Sequence, residues 1–250
     1  MRLLVVNPNV SASHTETIAA AAREVATPGT IIDAVNAPFG PRYIDSRGEV
    51  VISAYATLMA LARHADGHDA AVIAGFVDPG LGAAKELLPI PVVGIVEAAC
   101  LTACLLGTRF AIVALGPRLV PVFRDLVRGY GLSERLAAIE AVDDPDELLV
   151  ENRSAAVAPL AAAARTAIER AGADVIVVGG APLADIVPEL TNALDVPVID
   201  GVRSAVRQAE LLVGLGWRKP RTGSYSRPGP RPLLGVPSEI AALYAAGSEN

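Results

Sequence analysis

Apolar residues follow two alternating patterns along the chain. Short runs of nearly continuous Val, Ile, Leu and Ala are separated by longer, alanine-rich segments whose apolar residues recur at helical spacing. A strand covered by helices on both faces has no polar side, so continuous apolar runs predict parallel strands inside a sheet. Their alternation with helices predicts an α/β fold. The predicted strands are Leu3–Val6, Ala70–Ala74, Pro91–Gly94, Phe110–Ala114, Val175–Val178 and Pro197–Ile199.

The helical segments lie between these strands, as expected when a helix joins each parallel strand to the next. The proline-rich tail from Arg218 is predicted to form an extended arm across a lobe or a subunit, with its last residues, Ala245–Asn250, frayed. The predicted helices are Thr15–Val25, Val51–Arg63, Gly82–Leu87, Glu97–Leu106, Val120–Tyr130, Ala155–Ala171 and Arg203–Leu215.

The pattern of strands and helices repeats within the chain, which predicts two pseudo-symmetric parallel-sheet lobes of the Rossmann-like type facing each other across a cleft. We place residues 1–96 and about 206–250 in the first lobe and residues 97–205 in the second. The alternative, that any two βαβ units look this similar, stays open. Three pairs of landmarks are separated by 105 to 107 residues: Gly75 and Gly180, Pro91 and Pro197, and Arg2 and Arg109.

The loops that follow the parallel strands are the expected ligand-binding region. Ligands in open α/β sheets bind beyond the carboxyl ends of the strands, and pockets are common between domains. Two facing lobes would bring their loops together around one cleft. The loops predicted to matter are Asn7–Ser13, Gly75–Leu81, Gly94–Glu97, Ala114–Arg118, Gly179–Leu183 and Asp200–Val202.

Composition and charge narrow the class of protein. Hydrophobic residues make up 52% of the 250 residues and charged residues 19%, which predicts a folded chain with a large core. The net charge of −6 and the aromatic content of 4% argue against nucleic-acid binding. The apolar run at the start of the chain is too short for a signal peptide. Glu97 and Arg109 interrupt the most apolar stretch, which is therefore not expected to span a membrane. We expect a cytoplasmic protein that binds neither nucleic acid nor membrane.

The motifs of common cofactor sites are absent from the sequence. It contains no P-loop, no GxGxxG, no GxSxG and no HExxH motif. Its two cysteines, Cys100 and Cys104, are too few for a disulfide framework or a four-ligand zinc site. They lie four residues apart on one helical face and are expected to pack in the core. We therefore expect no cofactor and no metal.

The first predicted loop has the composition of an anion site. Asn9 and Ser11 precede a helix, where their side chains can cap it and its free N–H groups can bind a carboxylate. A role as helix cap alone stays open. His14 lies near the start of that helix, inside the presumed cleft, and can contact a substrate.

Several short motifs together resemble one enzyme family. The segments NPN, GFVDPGL, PVVGIVEAA, IVVGGAPLAD, VPVIDGV and KPRTGSYSRP occur in the order seen in hydantoin racemases. From Arg2 to about Pro228 the chain is identified as a member of the aspartate/glutamate/hydantoin racemase superfamily. This resemblance implies two pseudo-symmetric α/β lobes around a central cleft, a small-molecule substrate, no cofactor and a homo-oligomer.

The chain departs from this family at two positions. Racemases of the family carry a cysteine in each of two equivalent loops, one to remove the α-proton and one to return it. Here Gly75 and Gly180 stand in those loops. Glycine has no side chain that transfers a proton or attacks, so the resemblance implies that the two-thiol mechanism is absent. Arylmalonate decarboxylases, which belong to the same superfamily, keep one cysteine in the second lobe. The absence of that cysteine here also weakens an assignment as a decarboxylase of this kind. The two glycines are also expected to enlarge the cleft.

The part of the family site that remains is the part that stabilises negative charge. Asn9 and Ser11 match family positions that hold a substrate carboxylate or carbonyl. Backbone N–H groups around Phe76, Val77 and Ala181 are expected to stabilise an enolate-like oxygen. Pro182 has no N–H and offers none. Gly75 and Gly180 complete the predicted substrate-binding set.

A group other than a thiol must move any proton. Asp78 can instead cap the helix beginning near Pro79 or Gly80, and Glu97 can instead interact with a helix dipole. The sequence does not rank the candidates, which are His14, Tyr43, Asp45, Asp78 and Glu97.

These observations predict a cofactor-independent enzyme of the isomerase, cyclase or lyase type. Its substrate is expected to be a carboxylate, ureide or cyclic amide that reacts through an enolate-like or oxyanion intermediate without the two-thiol mechanism. Two alternatives stay open. One is a hydantoin or amino-acid racemase with relocated acid–base groups, and the other is a non-catalytic small-molecule-binding paralogue.

Overall fold

The computed structural model describes residues 1–143, 152–217 and 219–245, which contain two four-stranded parallel sheets. The first sheet has the strand order β2-β1-β3-β4 and the second has the order β6-β5-β7-β8. The strands of the first sheet are β1 (Arg2–Asn7), β2 (Ile31–Asn36), β3 (Ala70–Ile73) and β4 (Val92–Gly94). Those of the second are β5 (Phe110–Leu115), β6 (Leu136–Val142), β7 (Val175–Gly179) and β8 (Val198–Asp200).

Helices connect and cover the strands of both sheets. The α-helices are α1 (Ala12–Val25), α2 (Arg47–His64), α3 (Leu81–Leu87), α4 (Ile95–Leu106), α5 (Val120–Gly129), α6 (Arg153–Ala171), α7 (Val187–Ala193), α8 (Gly201–Gly214) and α9 (Ser238–Ala245). Short 3-10 turns occupy Pro117–Leu119, Ser133–Arg135 and Ala181–Ile186. Among the residues that the structure describes, every helix is too short or too polar to span a lipid bilayer.

The identical strand order of the two sheets confirms the predicted α/β fold with two pseudo-symmetric lobes. All six predicted strands are present to within one or two residues. The sequence missed the edge strands β2 and β6. Both are only partly covered, and they contain Asp33 and Glu140, so neither forms the continuous apolar run of a strand covered on both faces.

The two lobes are joined by helices that cross between them. Helix α4 follows the first sheet but packs on β5, β7 and β8, whereas α8 follows the second sheet but packs on β3 and β4. The two helices also pack against each other. A Cβ at Gly201 would lie 2.6 Å from the carbonyl oxygen of Ile95, so this approach requires glycine. The lobe boundaries at residues 96 and 206 stay predictions.

The carboxyl-terminal segment lies on the first lobe. Its helix α9, which the sequence analysis did not predict, packs on α2, where Arg63 and Glu239 form an ion pair at 3.0 Å. Before α9 the segment has no helix or strand in its described residues, and the Arg227 guanidinium donates to the carbonyl oxygen of Leu243. Residues 246–250, where fraying was predicted, lie outside the described residues.

A buried carboxylate attaches α8 to the first lobe. Glu210 is 8% exposed and accepts hydrogen bonds from the Thr27 N–H, the Thr27 hydroxyl and the Thr30 hydroxyl, each at 2.8 Å. Arg207 donates to the same carboxylate at 3.0 Å. Burial raises the pKa of Glu210, but the hydrogen bonds outweigh it and hold the pKa below its ordinary value. The ionised form is therefore the one that the fold stabilises.

We predict that Glu210→Gln lowers the free energy of unfolding by about 1–3 kcal/mol, because the amide group presents N–H donors to partners that are themselves donors. Urea unfolding at pH 7 measures the difference. Since the folded pKa is lowered, the loss is full at neutral pH and shrinks as the pH falls below the ordinary carboxyl range. Glu16→Gln, on the exposed face of α1, is the control and should change stability by less than about 0.5 kcal/mol. Equal stability of the two variants would contradict the assignment.

Candidate active site

A cleft with a volume of about 300 Å³ opens between the lobes at the carboxyl ends of the strands. The loops after β1, β2 and β3 of the first sheet and after β5, β6 and β7 of the second line it, which are three equivalent loops from each sheet. The loops after β4 and β8, also predicted to line the cleft, do not. They lead directly into α4 and α8, where Ile95 and Gly201 pack against each other.

The cleft brings together most of the predicted site residues. Three acid–base candidates, His14, Tyr43 and Asp45, line it, whereas Asp78 and Glu97 do not. Ser11 is the one predicted binding residue that is not among the lining residues. The predicted binding residues that line the cleft are Asn9, Gly75, Phe76, Val77, Gly180, Ala181 and Pro182.

A network of side-chain amides fixes the loop after β1. Asn7 is buried, and its Nδ2 donates to Asn9 Oδ1 at 2.9 Å and to the Thr15 hydroxyl at 3.0 Å. Asn9 Oδ1 also accepts the Ser11 N–H at 2.9 Å. Among the described residues, none accepts a hydrogen bond from Asn9 Nδ2, so this group can donate to a ligand. The Ser11 hydroxyl instead pairs with Ser13 at 3.1 Å, beside the start of α1 rather than in the cleft.

The three acid–base candidates that reach the cleft all come from the first lobe. His14 is 7% exposed in the first turn of α1, and its ring meets that of Tyr43 edge-on with 5.1 Å between centroids. Asp45, two residues after Tyr43, donates its N–H to Glu49 Oε2 at 2.8 Å, beside the amino terminus of α2. Its Oδ1 lies 3.4 Å from where a Cβ at Gly116 would stand, so it approaches the second lobe.

The second lobe contributes two charged residues that sequence reasoning missed. Arg118, in the turn after β5, and Asp143, directly after β6, both line the cleft. Arg118 lay within a predicted loop but was not singled out, and Asp143 was missed because β6 itself was not predicted. The Gly116 N–H donates to the carbonyl oxygen of Val142 at 2.9 Å, which holds these two loops together.

Two of the three predicted backbone donors remain available. The N–H groups of Phe76 and Ala181 form no hydrogen bond to another described residue. The Val77 N–H is instead donated to the carbonyl oxygen of Gly75 at 2.8 Å, inside the turn. The expectation that Val77 supplies a donor is therefore wrong, although Val77 lines the cleft. Phe76 and Ala181 lie in equivalent loops of the two lobes, so a donor is present on each side.

Asp78 directly follows the loop Gly75–Val77 but does not line the cleft. It is 5% exposed, and its carboxylate accepts the Val96 N–H at 3.0 Å, the Glu97 N–H at 2.8 Å and the Tyr130 hydroxyl at 2.7 Å. It therefore caps α4 and not the helix that follows it in sequence, where Gly80 holds the N-cap position. Burial raises the pKa of Asp78 to about 6, against the opposing effect of these hydrogen bonds.

Glu97 is also occupied outside the cleft. Its carboxylate oxygens lie 2.7 and 2.5 Å from Lys85 Nζ, in a half-buried ion pair between α3 and α4. The helix-dipole position predicted for Glu97 agrees with its place in the first turn of α4. A paired carboxylate that does not line the cleft has no access to a substrate there.

Gly75 and Gly180 do not enlarge the cleft in the way the sequence suggested. A Cβ at Gly75 would lie 2.3 Å from Pro8 Cγ, so the proline ring already fills that space. At Gly180 the backbone has φ +132°, which L side chains rarely adopt, and a Cβ would lie 3.3 Å from Leu183 Cδ1. The structure around both positions is therefore built for glycine.

No thiol lines the cleft. The two cysteines of the chain lie in α4, where Cys100 is buried in the core and Cys104 is half-buried against it. Burial raises the pKa of Cys100, which disfavours the thiolate. These positions agree with the predicted packing role of both cysteines.

We predict that Gly75→Ala lowers the free energy of unfolding by about 1–3 kcal/mol, because the added methyl group overlaps the Pro8 ring and forces the loop after β1 to move. Gly82→Ala is the matched control. Gly82 is an exposed residue of α3 with nothing near its Cβ position, so alanine there should be neutral or stabilising by up to about 1 kcal/mol. Urea unfolding compares the two, and equal stability would show that Pro8 does not restrict position 75.

The sequence and the fold match known racemases over most of their lengths. The Asp/Glu/Hydantoin racemase family model matches residues 3–209. A hydantoin racemase of Paenarthrobacter aurescens is 39% identical over 230 residues, covering 91% of this chain and 98% of that protein. A hydantoin racemase of Rhizobium meliloti is 35% identical over 229 residues, covering 91% and 95% of the two chains.

Solved structures agree with this assignment. An allantoin racemase from Klebsiella pneumoniae is 40% identical, with a TM-score of 0.89 and coverage of 94% of this chain and 96% of that one. An unliganded arylmalonate decarboxylase shares the fold at 18% identity, with a TM-score of 0.55 and coverage of 89% and 96%. The extent of the family match, together with the paired sheets and the cleft between them, shows that this chain belongs to the Asp/Glu/hydantoin racemase family.

Proposed function

We propose that the cleft binds a small cyclic ureide of the hydantoin or allantoin class and exchanges a proton at the ring carbon beside a carbonyl, without a thiol of the chain. The proteins named hydantoin racemase and allantoin racemase that match this chain at 35% to 40% identity support the substrate class. The observation that carries the mechanism is the cleft lining, which contains His14, Tyr43 and Asp45 but neither cysteine.

Removing a proton beside a carbonyl places negative charge on the carbonyl oxygen. Hydrogen-bond donors already directed at that oxygen lower the barrier, commonly by a few kcal/mol for each donor. The cleft offers the N–H groups of Phe76 and Ala181 and the Nδ2 of Asn9 for this purpose. These donors surround the site from three loops, which suits a flat ring that carries carbonyl oxygens on opposite edges.

His14 is the group that we assign to move the proton. Imidazole takes up and releases protons near neutral pH, which makes it the commonest general acid–base side chain. The base removes the ring proton, the electron pair moves onto the carbonyl oxygen, and return of a proton to the carbon restores the ureide. Return to the opposite face gives the mirror-image product. Tyr43 contacts the imidazole edge-on and thereby limits its orientation.

Proton exchange in deuterated buffer tests this proposal. We expect the purified protein to exchange the ring proton of 5-substituted hydantoins or of allantoin faster than buffer alone, as followed by proton NMR. The Cys100→Ala/Cys104→Ala double variant should retain the exchange. His14→Gln should lower it by at least about 100-fold, the ordinary contribution of a general base.

Two results would contradict the mechanism. Loss of exchange in the double cysteine variant, while its melting temperature and circular dichroism stay those of the wild type, would contradict the thiol-free assignment. Full exchange in the His14→Gln variant would contradict the assignment of His14 as the base. Glu16→Gln, an exposed change on α1 at a residue that does not line the cleft, serves as the control and should exchange at the wild-type rate.

A non-catalytic binding protein is the second candidate, favoured by the absence of a thiol from the cleft and by the Pro8 ring beside Gly75. A binding protein would show a raised melting temperature with hydantoin or allantoin but no exchange above the buffer rate. Exchange above that rate excludes this candidate.

A further inference from the structure

The geometry points to Asp78 as a positioning residue that ties the cleft loop Gly75–Val77 to the second lobe and, through its own protonation, sets the conformation of that loop. This inference deepens the proposed function, because Gly75, Phe76 and Val77 line the proposed substrate cleft. Asp78 itself does not line the cleft, so it acts through its neighbours and not on a substrate.

Asp78 has a backbone conformation that only its surroundings explain. Its φ of 43° lies in the left-handed region, and it is the one non-glycine residue with positive φ among those that the structure describes. Such a conformation is unfavourable for a residue with a Cβ, so contacts elsewhere must hold it. It turns the chain so that the cleft loop faces one side while the Asp78 carboxylate faces the amino terminus of α4.

Three hydrogen bonds hold this carboxylate in place. Two come from the N–H groups of Val96 and Glu97, and the third comes from the Tyr130 hydroxyl at 2.7 Å. A Cβ at Gly94 would lie 2.4 Å from Asp78 Cγ, so glycine at the end of β4 makes room for the carboxylate. Tyr130 directly follows α5, between β5 and β6, and therefore belongs to the second lobe.

Phe76 ties the same loop to the second lobe on its other side. Its ring packs edge-on against Phe123 of α5, with 5.4 Å between centroids. A Cβ at Gly179 would lie 2.9 Å from Phe76 Cε1, so the ring also lies against the end of β7. The loop is thus held by an aromatic contact in front and by a carboxylate behind. Any movement of Asp78 changes the position from which the Phe76 N–H is presented to the cleft.

Protonation changes what the Asp78 carboxyl group can do. An ionised carboxylate accepts all three hydrogen bonds, whereas the protonated group has a hydrogen on one oxygen and loses part of its accepting capacity. Burial raises the pKa of Asp78 to about 6, so this change falls just below neutral pH. The burial that raises this pKa outweighs the hydrogen bonds to the ionised form, so the closed loop favours the protonated carboxyl group. We therefore expect the loop to be held more firmly below that pH and loosened as the pH rises through it.

Other titratable groups surround Asp78 on the neighbouring elements. Burial raises the pKa values of Cys100 and Tyr130, away from the range in which Asp78 titrates. Glu97 and Lys85 are paired with each other. The titratable groups in electrostatic contact with Asp78 or on the same cavity wall are Glu97 and Cys100 of α4, Tyr130, Lys85 of α3, Asp125 of α5 and Tyr225 of the carboxyl-terminal segment.

A pH titration followed by NMR tests the inference without any ligand. In protein labelled with ¹⁵N-valine, the Val96 amide reports on the Asp78 hydrogen bond. In protein labelled with ¹³C-phenylalanine, the Phe123 ring, which packs on Phe76, reports on the position of the cleft loop. We expect both signals to shift together with a midpoint near pH 6. A purely structural cap would move Val96 but leave the Phe123 ring unchanged, and that result would overturn the inference.

Variants identify the group that titrates. Asp78→Asn should abolish the shared midpoint in both the Val96 amide signal and the Phe123 ring signal, and a midpoint that survives would overturn the inference. Tyr130→Phe removes a hydrogen bond to the ionised form and should raise the midpoint by about one pH unit. This variant keeps the carboxylate and decides the question if Asp78→Asn does not fold. An unchanged or lowered midpoint in Tyr130→Phe would count against the link between Asp78 protonation and the cleft loop.

Asp125→Asn is the matched control. Asp125 lines the same cavity but is 55% exposed and forms no hydrogen bond with Asp78, so its removal should leave the midpoint where it is in the wild type. Because the titration needs no substrate, a failure of hydantoin or allantoin to bind would count against the proposed function alone. A shift of the midpoint in the control would assign the titration to the cavity charges as a group and overturn the role of Asp78.

Discussion

The backbone of Gly201 lies against the carbonyl oxygen of Ile95, at the point where α4 and α8 begin. Each of these helices leaves one sheet and packs on the other, so their contact fixes how the two lobes meet. This arrangement of the lobes forms the cleft, because it places the loops at the carboxyl ends of the two sheets opposite each other. A side chain at position 201 would separate the helices and, with them, the walls of the site.

The walls of the cleft differ in their chemistry although the lobes share one topology. The first lobe supplies the amide network of Asn7 and Asn9 and the ring pair of His14 and Tyr43. The second supplies Arg118 and Asp143. Pseudo-symmetry thus determines where the loops lie, while the residues within each loop determine what the loop does.

Two buried carboxylates attach the crossing helices α4 and α8 to their neighbours. Asp78 links the end of the β3 loop to α4, which is one of the two crossing helices, and to Tyr130 of the second lobe. Glu210 attaches the other crossing helix to the first lobe through Thr27 and Thr30. Both carboxylates have low exposure and several donors, as the cost of desolvating a charge requires.

The sequence by itself determined six of the eight described strands and the duplication, because a strand covered on both faces requires a continuous apolar run. It also predicted the end of each sheet at which the cleft lies. The edge strands β2 and β6 escaped this rule, since partial exposure allows polar residues such as Asp33 and Glu140 within them. Only the tertiary structure decided which loop residues reach the cleft. The left-handed backbone at Asp78 turns its carboxylate toward α4, and the Pro8 ring occupies the space beside Gly75. Both depend on contacts between elements far apart in the chain, which local hydrophobic periodicity does not record.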